Sequence, residues 1–237
     1  RPKQIWHCFG CGKGGDIFAF VMEMEGMDFR EALELLARKA GIELPKIHSS
    51  EPTDVKDRLR AINLFAEKVF QKFLELPKGE IARAYLRKRE IPNELVLKFG
   101  LGYASDDWTA LLELARKKGI TDKEMIDAGL VIAPHDGKSA LDRFRHRIMV
   151  PLRDAQGRTV GFTGRVLRDE DTPKYMNSPQ TLVYDKSAMI FGLDLAKAAI
   201  RKEKTIILVE GNLDVVASHK AGVEHVVGVS GTALTER

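Results

Sequence analysis

The stretch from Lys204 to Arg237 constrains the fold most, because its periodicity changes from strand to helix and back. Thr205 to Val209 is a short apolar run rich in β-branched residues with no alternation, the pattern of a strand covered on both faces in a parallel sheet. Glu210 and Gly211 follow at once. Leu213 to Lys220 then carries apolar residues at helical spacing, with Gly222 as the stop. A second apolar run, His225 to Val229, leads into Ser230, Gly231 and Thr232. Strand, helix, strand is the opening of a βαβ unit. Ligands of such sheets collect at the carboxyl ends of the strands, where Glu210 falls, with Asp214 one helical turn beyond. Two carboxylates there suit Mg²⁺, a hard cation that takes oxygen ligands and neutralises phosphates. From these residues alone, a strand-end acid and a helix-capping acid without metal is an equally good reading.

In its Glu210-Gly211-x-x-Asp214 pattern and its flanks the stretch resembles the start of a Toprim domain, the Mg²⁺ and phosphodiester module shared by bacterial primases, type IA topoisomerases and some nucleases. The resemblance implies that Glu210 is the acid/base or metal residue. It also implies that the remaining metal carboxylates, an Asp and an Asp-x-Asp pair, lie beyond Arg237.

Cys8 and Cys11 are the only cysteines, spaced Cys-x-x-Cys among glycines at 10, 12, 14 and 15. That spacing is half of a zinc site or a redox dithiol. A dithiol expects a thioredoxin-like βαβ context, whereas Gln4 to His7 reads as a ribbon strand, so zinc is favoured. Structural zinc needs four ligands. His7, next to Cys8, reads as an ordinary ribbon residue, so the missing pair is expected before Arg1. The run Trp6-His7-Cys8-Phe9-Gly10-Cys11-Gly12-Lys13-Gly14-Gly15-Asp16 resembles the second half of the zinc ribbon of the bacterial replicative primase, the DnaG type. The chain is therefore expected to begin inside one domain and end inside another.

Two helices are predicted after the ribbon, Asp16 to Glu25 and Asp28 to Ala40, the second opened by a capping-box-like Asp28 and Glu31. Glu43 to Thr53, with two prolines and paired serines, reads as a linker. From Asp54 to Leu76 the apolar positions Val55, Leu59, Ile62, Ala66, Val69 and Phe73 step by three and four, an amphipathic helix. Shorter helices are predicted at Arg83 to Glu90, Pro92 to Phe99, Asp107 to Lys118, Thr121 to Ala128 and Gly192 to Arg201, with a brief strand at Leu101 to Tyr103.

Asp142 to Arg168 holds seven arginines and no lysine against two acids, Asp142 and Asp154. Ile148 to Leu152 and Thr159 to Thr163 read as strands joined by a turn at Asp154 to Gly157. A guanidinium fork matches phosphate oxygens, and the local acids are too few to pair seven of them, so a polyanion-binding surface is preferred over a salt-bridged face. Pro173 to Pro179 adds Lys174, Tyr175 and Asn177; Tyr175 suits base stacking, though taken alone a core aromatic is the safer reading. The runs from Asp142 to Ile148, Gly161 to Arg165 and Pro173 to Pro179 resemble signature segments of the primase core. That resemblance implies that Arg143, Arg145, Arg147, Lys174 and Asn177 grip template and nucleotide; Arg165 and Tyr175 lie in the same runs and join the candidates.

The fold class expected is α+β: a partial zinc ribbon with two helices over 1–42, a linker over 43–53, the N-terminal part of a mixed α/β primase core over 54–203, and the first βαβ of a Toprim-like parallel sheet over 204–237. The function expected is a DNA-templated RNA polymerase making primers, with Zn²⁺ in the ribbon and Mg²⁺, or Mn²⁺, at Glu210. Single-stranded DNA and ribonucleoside triphosphates are the expected partners, and a replicative helicase through a C-terminal domain outside this chain. Holding one metal acid of the family's set, the chain alone is expected not to synthesise primers. The alternatives are another Toprim enzyme, topoisomerase or nuclease, and a non-catalytic single-strand-binding zinc protein. No apolar run approaches the roughly 20 residues of a membrane span, and no signal peptide opens the chain, so a cytosolic protein without a membrane partner is expected. A net charge of +4 is compatible with nucleic acid without proving it.

Overall fold

A computed structural model describes residues 4–25, 29–42, 51–133, 139–168 and 172–229. The chain divides into two compact units, Arg1–Ser50 and Glu51–Arg237, and helices and strands mix in an α+β architecture.

In the first unit β1 (Trp6–His7) pairs antiparallel with β2 (Gly14–Gly15). The knuckle between them closes as the Gly12 N–H donates to the Cys8 carbonyl at 2.9 Å and the Cys8 N–H to the Lys13 carbonyl at 2.7 Å. Asp16 caps α1 (Ile17–Glu25), its carboxylate accepting from the Ala19 N–H at 2.9 Å. The helix lies on the ribbon through Trp6 and Phe20, whose rings meet edge to face at 5.5 Å. α2 (Phe29–Ala40) packs on α1 through Phe29 against Phe18. The capping role expected of Asp28 lies outside the described residues.

The second unit opens with α3 (Glu51–Glu75), which starts inside the expected linker: 51–53 are helical, and 43–50 lie outside the described residues. Leu59, Ile62, Ala66, Phe70 and Phe73 form its buried stripe. α4 (Glu80–Lys88) and α5 (Asn93–Phe99) follow, then β3 (Gly102–Ala104). β3 runs so close to α3 that a Cβ at Gly102 would stand 2.6 Å from that of Phe70, which is why glycine sits there. α6 (Ala110–Lys117) and α7 (Asp122–Asp127), the latter begun by a Thr121–Glu124 capping box, lead to the short pair β4 (Val131–Ile132) and β5 (Leu141–Asp142).

β6 (Arg147–Arg153), β7 (Thr159–Val166) and β8 (Tyr175–Asn177) complete an antiparallel sheet in the order β3-β6-β7-β8. Its two central strands are buried along almost their whole length. Their turn is fixed by Asp154, whose carboxylate accepts from the backbone N–H of Gln156 and Arg158 at 3.0 and 2.9 Å. After α8 (Leu193–Glu203) come β9 (Ile207–Val209), α9 (Asn212–Lys220) and β10 (Val226–Gly228), with β9 and β10 parallel: the expected βαβ.

One expectation for this βαβ is corrected. The strand at its start was read as covered on both faces, yet Ile206, Ile207 and Leu208 are 46, 41 and 47% exposed. A parallel strand is buried only where layers lie on both faces, and the described residues leave these side chains open. Ser230, Gly231 and Thr232, expected at the end of the next strand, lie outside the described residues.

Candidate active-site cleft

Side chains alternate along a strand, so the register pairing Thr163 with Asn177 and Arg165 with Tyr175 puts all four on one face at the β7–β8 edge. The turn from β9 into α9 meets that face. Thr163, Tyr175, Asn177, Glu210, Gly211, Asn212 and Asp214 line a cleft of about 280 Å³. Glu210 leaves β9 at the lip, exposed to solvent, and Asp214 sits in the first turn of α9, where the helix favours negative charge. A Cβ at Gly211 would stand 2.7 Å from Asp214 Oδ2, so a side chain there would push that carboxylate aside. Among the described residues neither carboxylate has a side-chain hydrogen bond or an ion pair, so their oxygens face the cleft unspent.

Two carboxylates fit Mg²⁺, which characteristically takes one or two protein oxygens and fills its shell with water and substrate phosphate. A third His, Cys, Asp or Glu does not join them among the described residues. In the ribbon, the backbone N–H groups of Cys11 and Gly10 and the Cys11 side chain bond the Cys8 sulfur and hold its thiol below the usual range. N–H groups turned onto a sulfur favour the thiolate, the form that ligates zinc. Cys8 and Cys11 therefore fit as two zinc ligands. His7 is exposed, its ring against Phe9 at 5.0 Å.

The arginines divide. Arg147 is 5% exposed and donates to the carbonyls of Gly164 at 3.1 Å and Pro173 at 2.9 Å, which ties β6 to β7 and to the approach to β8. Arg165 is 7% exposed, its guanidinium over the Tyr85 ring at 4.6 Å and near the Tyr175 ring at 5.8 Å. Arg143 is half-buried, and burial pushes its pKa down. Arg145 stacks over Trp108 at 4.1 Å and donates to the Asp142 carbonyl. Outside the candidate set, Arg153 pairs with Glu67 at 2.7 Å, Arg158 with Asp154 at 2.7 Å and Arg168 with Asp106 at 3.5 Å.

The shortage of acids that favoured a seven-arginine surface is thus corrected, because Glu67 and Asp106 arrive from elsewhere in the chain and backbone carbonyls take Arg147. Lys174 is exposed and without a side-chain partner among the described residues, and Tyr175 is 45% exposed, not a core aromatic. The fold gathers Glu210, Asp214, Tyr175 and Asn177 at one cleft and turns Arg147 and Arg165 inward. Thr163 and Asn212 are the cleft residues that the sequence reading missed. The signal for Thr163 was present, since it stands two residues before Arg165 on the same strand face.

Comparison with known proteins agrees with this architecture. Residues 69–197 match the DNA primase catalytic core, N-terminal domain; 1–52 match the CHC2 zinc finger, and 204–237 the Toprim domain. A DNA primase of Deinococcus radiodurans is 41% identical over 233 residues, covering 98% of this chain and 39% of its own length. The Aquifex aeolicus primase structure of zinc-binding and RNA polymerase domains aligns with TM-score 0.70 at 33% identity, covering 98% of this chain and 56% of that one. The RNA polymerase domain of Mycobacterium tuberculosis primase DnaG, in complex with a double-stranded DNA oligomer with a 6-nucleotide overhang, aligns with TM-score 0.71 at 37% identity, covering 81% and 58%. The chain thus spans about two-fifths of the length of the curated relatives it matches. With its catalytic-core match covering more than half of its residues, the chain belongs to the DNA primase family.

Proposed function

We propose that this chain forms the template- and nucleotide-facing part of a DNA primase, an enzyme that copies single-stranded DNA into short RNA primers. The observation that carries the reading is the cleft in which two unspent carboxylates, Glu210 and Asp214, face an aromatic ring and an amide on the β7–β8 edge. Glu210 and Asp214 hold Mg²⁺ or Mn²⁺ there, and Cys8 and Cys11 supply two ligands of a structural Zn²⁺ in the ribbon. The divalent ion supplies charge neutralisation for nucleotide phosphates. Phosphoryl transfer of this kind needs positioning and neutralisation more than a strong base, which suits exposed carboxylates at a strand end.

The remaining groups have positional roles. The Tyr175 ring, half exposed beside the carboxylates, stacks a base, and the free ammonium of Lys174, next to it, neutralises a backbone phosphate. Arg145 adds charge from its perch on Trp108. Arg147 and Arg165 act from beneath by fixing the strands and rings that face the nucleic acid. The DNA held by the Mycobacterium tuberculosis relative supports a nucleic-acid partner.

The test is primer synthesis by a full-length primase carrying these residues. Glu210→Gln removes a metal ligand without changing size, so ribonucleotide incorporation should be lost while single-stranded DNA binding persists. Synthesis at the wild-type rate would show that Glu210 is not at the active centre. Absence of synthesis by the parent protein would leave the binding-only alternative.

A further inference from the structure

A directed hydrogen-bond relay runs beneath the cleft. The Asn212 Nδ2–H donates to Thr163 Oγ1 at 3.1 Å, and the Thr163 hydroxyl donates to Asn177 Oδ1 at 2.7 Å. A hydroxyl has one proton, and this one is spent on Asn177, so the polarity of the relay is set. Thr163 is 3% and Asn212 5% exposed, so both bonds form away from water, where a missing partner is most costly. The backbone of β8 is pinned as well: the Ser178 N–H donates to the Phe162 carbonyl at 2.8 Å, and Ser178 Oγ accepts from the Phe162 N–H at 2.9 Å. With main chain and amide oxygen both held, the Asn177 side chain has one orientation left. Its Nδ2–H₂ has no partner among the described residues, and Asn177 lines the cleft with Glu210 and Asp214.

We infer that Thr163 is a positioning residue that turns the Asn177 amide so that its N–H donors meet a phosphate oxygen of the bound nucleoside triphosphate. The inference rests on the primase reading above and adds the group that orients the nucleotide. The chemistry of the neighbours selects the ligand. Beside two carboxylates a cationic side chain would pair with the acids and compete with a divalent ion. A neutral amide whose oxygen is turned onto the Thr163 hydroxyl presents its two N–H donors to the cleft. It therefore suits an acceptor oxygen next to the ion. Asn212 belongs to α9, Thr163 to β7 and Asn177 to β8, so the same relay ties the helix that carries Asp214 to the strand edge that carries the amide.

The test is a double-mutant cycle in a full-length primase carrying these residues, reading the affinity of a fluorescent ATP analogue with Mn²⁺ present. Thr163→Val keeps the shape and removes both bonds. It should weaken nucleotide binding about tenfold, the worth of one hydrogen bond to a charged group, and Asn177→Ala should do the same. Because Thr163 acts through Asn177, the double variant should lose about tenfold and not about a hundredfold. Thr163→Ser, which keeps the hydroxyl, should restore affinity, and Thr163→Val should bind single-stranded DNA as the parent does. Additive losses, unchanged affinity in Thr163→Val, or a loss confined to DNA each overturn the inference while leaving the primase reading standing. A parent protein that binds no nucleotide overturns both.

Discussion

Asp142 shows how burial and hydrogen bonding compete, and substituting it by asparagine makes the outcome measurable. Its side chain, on β5, caps α6 from outside the helix: the carboxylate accepts from the N–H groups of Leu111 at 2.8 Å and Leu112 at 3.0 Å, while Thr109, at the helix start, makes no side-chain cap. Burial raises the pKa; the two N–H donors and the Arg145 guanidinium lower it. Burial wins, and the carboxyl is pushed up from 3.8 to about 6. The folded value lies above the unfolded one, so the contribution to stability is fully present below the unfolded pKa and is lost as pH rises through about 6. The gap is worth roughly 3 kcal/mol for a group only 4% exposed.

An asparagine side chain does not titrate in this range. The stability of Asp142→Asn relative to the parent should therefore move by roughly 2 kcal/mol in the variant's favour between about pH 4 and pH 7, whatever constant offset the lost acceptor adds. Urea unfolding followed by Trp108 fluorescence in a Trp6→Phe background measures it at the right place, since the Asp142 N–H donates to the Trp108 carbonyl at 2.8 Å. A difference that does not change with pH, or that moves toward the parent, would show that the two N–H donors outweigh burial and would refute the reasoning.

Two further outcomes follow from the charges. Glu67, 7% exposed at its side chain, pairs with Arg153 at 2.7 Å and accepts from the Thr159 hydroxyl. Glu67→Gln strands a buried guanidinium and should cost about 3 kcal/mol in chemical denaturation; a loss below about 1 kcal/mol would mean the pair is solvated. Lys174→Glu should flatten the salt dependence of single-stranded DNA binding by at least about one phosphate contact, and an unchanged slope would remove Lys174 from the interface.

The sequence made legible those parts whose signal is local. The apolar stripe of α3, the hairpin turned at Asp154 and the strand–helix–strand from Ile207 to Gly228 all depend on periodicity within one element. Glu210 and Asp214 were legible because a strand end followed by a helix fixes where they point. The fate of the arginines was not. Glu67 pairs with Arg153 from 86 residues away, and Asp106 with Arg168 from 62, so a count of acids near the stretch misjudged its free charge. The interior placement of Arg147 depends on two carbonyls that face it only after β6 and β7 pair and the approach to β8 folds over. Thr163 and Asn212 escaped notice because short polar residues carry no pattern until tertiary contact joins them.

The central claim is that Glu210 and Asp214 hold a divalent ion in the cleft beside Asn177. Mn²⁺ bound in the presence of a ribonucleoside triphosphate, followed by electron paramagnetic resonance in the parent and in Glu210→Gln, tests it most directly. The account predicts that the variant keeps its fold and loses at least the roughly tenfold in Mn²⁺ affinity that even an outer partner's removal costs. Equal Mn²⁺ binding by the two proteins would contradict it.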